Sequence, residues 1–372
     1  ARFVGGAVRD TLLGLPVTDV DVATPHAPEQ VVKLLESAGI KAVPTGIAHG
    51  TITAVSSGAV VEVTTLRRDV STDGRRATVA FTDDWREDAA RRDFTINALY
   101  ADPQSGEIFD YFGGLADLEA RHIRFIGDPL QRIAEDHLRI LRFFRFLARF
   151  GDTPDEAALE ACTARANDLM ALSRERIRDE LLKLLVAPDA VRVLRLMVER
   201  GILIPVIPEI DLAGVERLAA LAGNETAAEI RPEPIRRLAA LLPPDAAANE
   251  AVGARLKLSN VERQTLASAI RPDFAEGALA LAYRISPERA ADRLLLAGDI
   301  VGAKAAVAWT PPRLPLSGGS LIGRGLSKGP DVARALRRIE DRWIAEGFPG
   351  GDRAGQIADS VVAELLSSDS RA

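Results

Sequence analysis

The chain has a single cysteine, Cys162, so no disulfide can form within it and a cysteine-based zinc site is excluded. Its four histidines, at positions 26, 49, 122 and 137, lack the spacing of metal ligands, and Asp136-His137 reverses the order of a His-Asp phosphohydrolase pair. No apolar run reaches the ~18 uninterrupted residues of a membrane-spanning helix, and no charged-then-apolar signal peptide opens the sequence. A reducing, cytoplasmic setting is the expectation, with no membrane partner. Ala1 opens directly onto a strand pattern, so residues upstream of it are also expected. Lysine is scarce, six residues against 41 arginines, an excess that suits phosphate and base-edge recognition and that genomic composition bias explains equally well. Positive charge is in the minority: 47 Lys+Arg against 53 Asp+Glu give a net charge of −6 and a pI near 5.5. That balance argues against indiscriminate polyanion binding while leaving room for a local basic face.

What is present is an ordinary globular composition, 47% hydrophobic and 27% charged over 372 residues. Single cores stop growing at roughly 250 to 300 residues, so two or three domains are expected. The pattern changes along the chain. Up to about Ile126, short β-branched runs alternate with helical periods: Phe3-Val4, Val20 to Val22, Gly50 to Val55, Val60 to Leu66 and Ile96 to Tyr100 read as strands. Helices are expected after Gly6 and between Pro28 and Ala38, the latter stopped by Gly39. From Asp128 onward Leu, Ala and Arg recur at helical spacing, broken by Gly151, Pro188, Gly201, Pro232, Pro243 and Pro244, and no repeat of fixed period is evident. The fold class is therefore a small α+β domain followed by an all-α region.

The chemistry lies in the first half. Phe3-Val4-Gly5-Gly6-Ala7-Val8-Arg9-Asp10 reads as strand, Gly-Gly turn and helix start, a pocket of outward N–H groups plus one guanidinium that suits a phosphate. The spacing is neither GxGxxG nor a Walker loop. In the next strand Val20 and Val22 can face the core while Asp19 and Asp21 share the opposite face, roughly 6 to 7 Å apart. Two carboxylates held side by side are costly unless a divalent cation neutralises them, and paired metals are the usual machinery of in-line phosphoryl transfer. Glu62 lies on the face opposite Val61 and Val63, and a neighbouring antiparallel strand could set it against the two aspartates as a third oxygen ligand of Mg²⁺ type. Each of these acids taken alone is more often a solvated strand residue.

Taken together and in order, Gly5-Gly6-x-x-Arg9-Asp10 with Asp19-x-Asp21, Arg91-Arg92-Asp93-Phe94-Thr95-Ile96-Asn97-Ala98-Leu99, Glu135-Asp136-x-x-Arg139 and Arg174-Glu175-Arg176-Ile177 resemble the signature motifs of class II tRNA nucleotidyltransferases. That family comprises the CCA-adding enzymes and the related bacterial poly(A) polymerases, within the polymerase β nucleotidyltransferase superfamily. The resemblance covers about residues 2 to 185; Pro315 to Ile322, Gly329-Pro330 and Trp343-Ile344 are similar to the C-terminal segment of many bacterial members. It implies a nucleotidyltransferase head over residues 1–127, a helical neck carrying the base template over 128–187, a helical body over 188–300 and a helical RNA-binding tail over 301–372. It further implies that Asp19 and Asp21 hold two Mg²⁺ ions, that Gly5, Gly6 and Arg9 line the phosphates, and that Glu62 assists near the RNA 3′-hydroxyl. Arg92, Asp93 and Asn97 would bind the triphosphate and ribose of the incoming nucleotide.

Asp128-Pro129-Leu130-Gln131 is a helix start, with Asp as N-cap and Pro in the first position. On one helix running on from there, Leu130, Ile133, Ala134, Leu141 and Phe144 would form the apolar stripe, and Asp136 and Arg139 would share the polar face. A helical ion pair is the bland account. The resemblance implies more: cytosine and adenine both present an exocyclic amino group to a carboxylate and a ring nitrogen to a guanidinium, whereas uracil and guanine turn a carbonyl toward the acid. An Asp136/Arg139 pair, with Glu135 orienting its neighbours, would thus admit CTP and ATP. Asp69 to Ala77 matches a flexible loop of CCA-adding enzymes linked to the change from C to A addition, the alternative being a plain hairpin. Basic residues at 132, 139, 142, 145 and 149, then at 174, 176, 178 and 183, could track the acceptor arm of tRNA, although surface ion pairs account for most of them equally well. The implied activity is template-independent, Mg²⁺-dependent addition of CCA to tRNA from CTP and ATP. Poly(A) synthesis by the same machinery and a catalytically silent RNA-binding protein are the rivals.

Overall fold

A computed structural model of the chain describes residues 1–72, 77–271 and 276–369. Its strands are β1 (Arg2–Val4), β2 (Val20–Thr24), β3 (Lys41–Gly46), β4 (Thr51–Ser56), β5 (Ala59–Thr65), β6 (Arg67–Thr72), β7 (Ala77–Phe81), β8 (Leu99–Ala101) and β9 (Ile108–Asp110). Seven form one mixed sheet in the order β3-β4-β5-β2-β1-β8-β9, and β6 and β7 make a separate antiparallel pair. Within the seven-stranded sheet only β2 and β5 run parallel. The helices that bear on the site are α1 (Gly6–Leu12), α2 (Pro28–Ser37), α3 (Trp85–Ala90), α4 (Gly114–Glu119), α5 (Pro129–Glu135), α6 (Arg139–Phe150), α7 (Glu156–Ala164) and α8 (Arg174–Leu185). From Ala190 to Asp369 the named elements are all helical, as the leucine and alanine spacing predicts.

The chain divides into two compact units, Ala1–Leu218 with Leu241–Asn260, and Ala219–Ala240 with Val261–Ala372. In the first, α6 buries Phe143, Phe144, Phe146, Leu147 and Phe150, and it packs on the segment that carries the Arg92 motif through rings of Phe94, Phe125 and Phe146. The Phe94–Phe125 and Phe94–Phe146 centroids lie 4.9 and 5.2 Å apart, within the range of favourable aromatic pairs. The second unit is centred on Trp343, Ile339, Ile357 and Val361, with the Trp343 indole donating to the Pro349 carbonyl at 2.8 Å. No helix among the described residues is long and apolar enough to cross a membrane.

Several local expectations change. The strand expected over Ile96 to Tyr100 starts only at Leu99, because Thr95–Asn97 is a 3₁₀ turn whose buried polar side chains bond to Asp117 and Asp93. The edge strands β3 and β9 were not apparent in the sequence: β3 carries Pro44 and is largely exposed, so neither β-propensity nor alternation marks it. Of the loop expected over Asp69 to Ala77, residues 69–72 belong to β6 and Ala77 opens β7, while residues 73–76 lie outside the described ones. Asp128 does cap α5, accepting the Gln131 amide at 2.8 Å. The helix it starts is not continuous to Phe150, however. Asp136 adopts an extended conformation (φ −152°, ψ 107°) and its Oδ1 accepts the Leu138 amide at 3.1 Å, an Asx turn that ends α5 and redirects the chain into α6. Leu130 and Ala134 consequently face solvent instead of completing the apolar stripe.

Candidate active site

Gly5 ends β1 with φ 66° and ψ −126°, a conformation that only glycine adopts without strain, and it turns the chain into α1. A Cβ there would stand 3.3 Å from an Arg92 guanidinium nitrogen. The turn opens onto a cavity of ≈ 440 Å³ lined by Gly5, Gly6 and Arg9, by Asp21, by Arg92, Asp93 and Asn97, and by Asp136, Arg139, Arg142, Arg145 and Phe146. Its lining carries five guanidinium groups against three carboxyl groups, a balance that suits an anionic ligand.

The lining is wired together. Arg9 donates to Asn97 Oδ1 at 2.5 Å and to Asp10 at 2.7 and 2.8 Å, and it stacks over Phe150 at 4.3 Å. Asn97 in turn donates to Asp93 Oδ1 at 3.0 Å, and the Phe94 amide donates to the same oxygen at 2.9 Å. The other Asp93 oxygen accepts from Arg142 at 2.7 and 2.5 Å. Burial alone would raise the Asp93 carboxyl, but Arg142 and the Asn97 and backbone donors hold it down at about 2. Arg92 is steered from beneath by Asp88, buried to 1% exposure, whose oxygens also accept from Arg91 and from the Tyr100 hydroxyl. Burial pushes the Asp88 carboxyl up, yet Arg92 and Arg91 carry it below its ordinary value.

Asp21 lines the cavity from β2, and its Cα partner in the adjacent strand is Glu62. The two acids are therefore neighbours across β2 and β5 as the alternation predicts, but the strands are parallel, not antiparallel, because β5 returns beside β2 after the β3-β4 excursion. In a parallel pair, residues in register point to the same face. Asp19 lies just before β2 and is exposed, as is Glu62, and neither lines the cavity. Burial raises the Asp21 carboxyl; the Arg92 charge lowers it and the Asp19 charge raises it further. Among the described residues no group of three or more His, Cys, Asp or Glu side chains is placed to hold a metal ion, so the expected three-acid cluster does not form.

The predicted polar face of Asp136 and Arg139 is corrected in its wiring while both side chains do reach the cavity. With the helix broken at Asp136, Arg139 pairs with Glu135 at 2.6 Å and donates to the carbonyls of Arg132 and Arg91 at 2.8 and 3.2 Å. Asp136 is instead held by Arg176 of α8, one nitrogen 3.1 and 2.9 Å from its two oxygens. Glu135 does not line the cavity but touches both Arg132 and Arg139, 2.6 Å from each. Sequence reasoning missed Arg142, Arg145 and Phe146 as lining residues, although Arg142, Arg145 and Arg149 recur at helical spacing after Arg139. The expected basic face there is largely spent on ion pairs: Arg145 lies 2.5 Å from Glu180, and Arg149 lies 3.8 Å from Asp10.

The pattern described as "Poly A polymerase head domain" matches residues 1–124, and "Probable RNA and SrmB- binding site of polymerase A" matches 153–213. The mitochondrial CCA tRNA nucleotidyltransferase 1 of Mus musculus is 36% identical over 369 residues, which cover 93% of this chain and 83% of the mouse protein. The chain belongs to the class II CCA-adding enzyme and poly(A) polymerase family. The CCA-adding enzyme of Levilactobacillus brevis is 45% identical over 187 residues, 50% of this chain and 46% of its own. The crystal structure of the Bacillus stearothermophilus CCA-adding enzyme in complex with CTP superposes with a TM-score of 0.77 at 29% identity, covering 100% of this chain and 94% of that one. The head of this family member is thus the mixed sheet with its helices, and the remainder is helical.

Proposed function

We propose that the protein is a CCA tRNA nucleotidyltransferase that builds the tRNA 3′ end from CTP and ATP, and that the single observation carrying its base choice is the meeting of Asp136 and Arg139 in an arginine-rich cavity beside Asp21. The tRNA 3′-hydroxyl oxygen attacks the α-phosphorus; a new P–O bond forms as the α–β bridging bond breaks, and pyrophosphate leaves. Arg9 and Arg92 bind the triphosphate, with the Gly5-Gly6 turn letting the backbone approach closely. Asp93 and Asn97 act on the ribose side chiefly by positioning: Asp93 fixes Arg142 and Asn97, and Asn97 fixes Arg9. Glu62 assists at the hydroxyl from its place beside Asp21.

Asp136 accepts from the exocyclic amino group of cytosine or adenine, and Arg139 donates to the neighbouring ring nitrogen. Three of the five Arg139 donors are engaged within the protein, so donors remain for a base.

Mg²⁺ fits this donor set: it is typically held by one or two carboxylates together with substrate phosphates and water, so Asp19 and Asp21 suffice without a third protein ligand. Their mutual repulsion, with burial acting on Asp21, is the electrostatic condition a divalent cation relieves. When bound it supplies charge stabilisation at the phosphoryl oxygens and a more acidic hydroxyl. Segments 1–127, 128–187, 188–300 and 301–372 serve in this reading as head, neck, body and RNA-binding tail. A lone cysteine, Cys162, buried and outside any disulfide, suits a reducing compartment, and the cytoplasm is the one we propose. The test is incorporation of labelled CTP and ATP into tRNA transcripts lacking CCA, with and without Mg²⁺. Incorporation that requires the metal supports the reading, and its absence with all components present refutes it.

A further inference from the structure

A second cavity, of ≈ 390 Å³, lies within the second unit and is lined by Arg271, Arg284, Arg289 and Arg293 with Gln264, Ala267, Ser268 and Ile285. Four guanidinium groups converge on one concavity, and no carboxylate is among its described lining residues. Their surroundings differ in a way that matters. Arg284 is neutralised from outside, by Glu276 at 2.7 Å and Asp341 at 3.0 Å. Arg293 is buried, 4% exposed, and is fixed by donating to the Ser268 carbonyl at 2.6 Å and hydroxyl at 3.3 Å. Arg271 and Arg289 have no ion-pair partner among the described residues, although Arg289 is half-buried. Holding like charges together is unfavourable by their mutual repulsion, and an anion entering the cavity removes that cost. The planar, multi-donor guanidinium matches the oxygens of a phosphate better than a point charge does.

We infer that this arginine cavity is a phosphate-binding site, separate in sequence and in its unit from the nucleotide cavity of the head. The group it takes is a phosphate, carried either by an RNA backbone, which rests on the proposed function, or by free phosphate or pyrophosphate. Gln264 and Ser268 complete the lining with neutral hydrogen-bonding groups, as expected for a site that recognises oxygens and not only charge.

The test compares the full-length wild type with R271Q/R289Q and with the charge-keeping R271K/R289K, after circular dichroism has shown that each folds. Filter binding of a tRNA transcript is measured across a salt series, and inorganic phosphate and pyrophosphate are titrated separately by calorimetry with CTP saturating the head. If RNA is the source, R271Q/R289Q binds tRNA about 10-fold more weakly, with a salt slope smaller by about 1, and the lysine variant restores most of both. If the free anion is the source, tRNA binding is unchanged and phosphate or pyrophosphate binding disappears in R271Q/R289Q alone. Wild-type behaviour of R271Q/R289Q in both measurements overturns the site. None of these readouts needs nucleotide incorporation, so failure of CCA addition in wild type would count against the proposed function and not against the cavity.

Discussion

Asp93 offers the sharpest quantitative test of how the nucleotide cavity is held. Its carboxylate accepts from the Phe94 amide, Asn97 and twice from Arg142, linking the Arg92 motif to α6 inside the first unit. The folded carboxyl lies at about 2. Against an unfolded value of roughly 3.9, that depression corresponds to about 2 to 3 kcal/mol of stability at neutral pH. Because the folded value is the lower one, this contribution is complete above the unfolded value and is lost as pH falls through the folded value. Asp93→Asn keeps the shape and one acceptor oxygen, so it removes chiefly the charge. We expect D93N to be less stable than wild type by about 2 to 3 kcal/mol at pH 7, by about half of that at pH 3 and by little at pH 2. Urea unfolding at each pH, followed by limited proteolysis mapped to residues 1–218 and 241–260, reads the first unit by itself. A deficit under about 0.5 kcal/mol at pH 7, or one that stays constant down to pH 2, refutes the reasoning, since neither fits a depressed carboxylate.

Four further outcomes are expected. Asp19→Asn with Asp21→Asn lowers nucleotide incorporation by at least about 1,000-fold while leaving tRNA binding within a few-fold of wild type, because in the proposed role the pair would hold the cation that stabilises transition-state charge, not the RNA; near-normal turnover would remove both residues from the metal role. Asp136→Ala reduces the preference for CTP and ATP over UTP and GTP by about 10- to 100-fold, measured as ratios of kcat/KM, and unchanged ratios would end the template role. Arg176→Gln frees the Asp136 carboxylate and raises KM for CTP and ATP more than it lowers kcat, with Arg176→Lys restoring part of the loss; an effect on kcat alone would contradict a positioning role. Gly5→Ala strains the backbone by about 1 to 3 kcal/mol and pushes on Arg92, so triphosphate affinity falls together with thermal stability. Wild-type affinity in that variant would show that the turn tolerates a Cβ.

The parts of this protein that were legible in sequence are those with a strong local cause. Gly5 is required by a positive φ, Asp128 by the helix start it caps, and Asp21 and Glu62 by the two-residue period of a strand, so each could be placed before any coordinates. What was not legible depends on where the chain turns or on what lies far away in sequence. The Asx turn at Asp136 uses a side chain to break a helix that periodicity alone would continue, and it reassigns the partners of both proposed template residues. Arg176 finds Asp136 across 40 positions, and Asp93 finds Arg142 across 49, pairings no local pattern encodes. Strand direction was equally out of reach, since alternation gives the face of Glu62 but not whether β5 runs with or against β2. The cavity in the second unit lay hidden for the same reason: its arginines come from separate stretches, each of which reads as an ordinary solvated helix face.

In the proposed function this protein ends synthesis at CCA through protein side chains that select the base. That function is tested most directly by giving the purified protein Mg²⁺, all four nucleotides and tRNA transcripts ending at the discriminator base or at CC, and sequencing the 3′ ends. The expected products terminate at CCA from both substrates, with UTP and GTP excluded. Long runs of A would assign the same machinery to poly(A) synthesis, termination at CC would show that the A-adding step is missing, and either result would contradict the account.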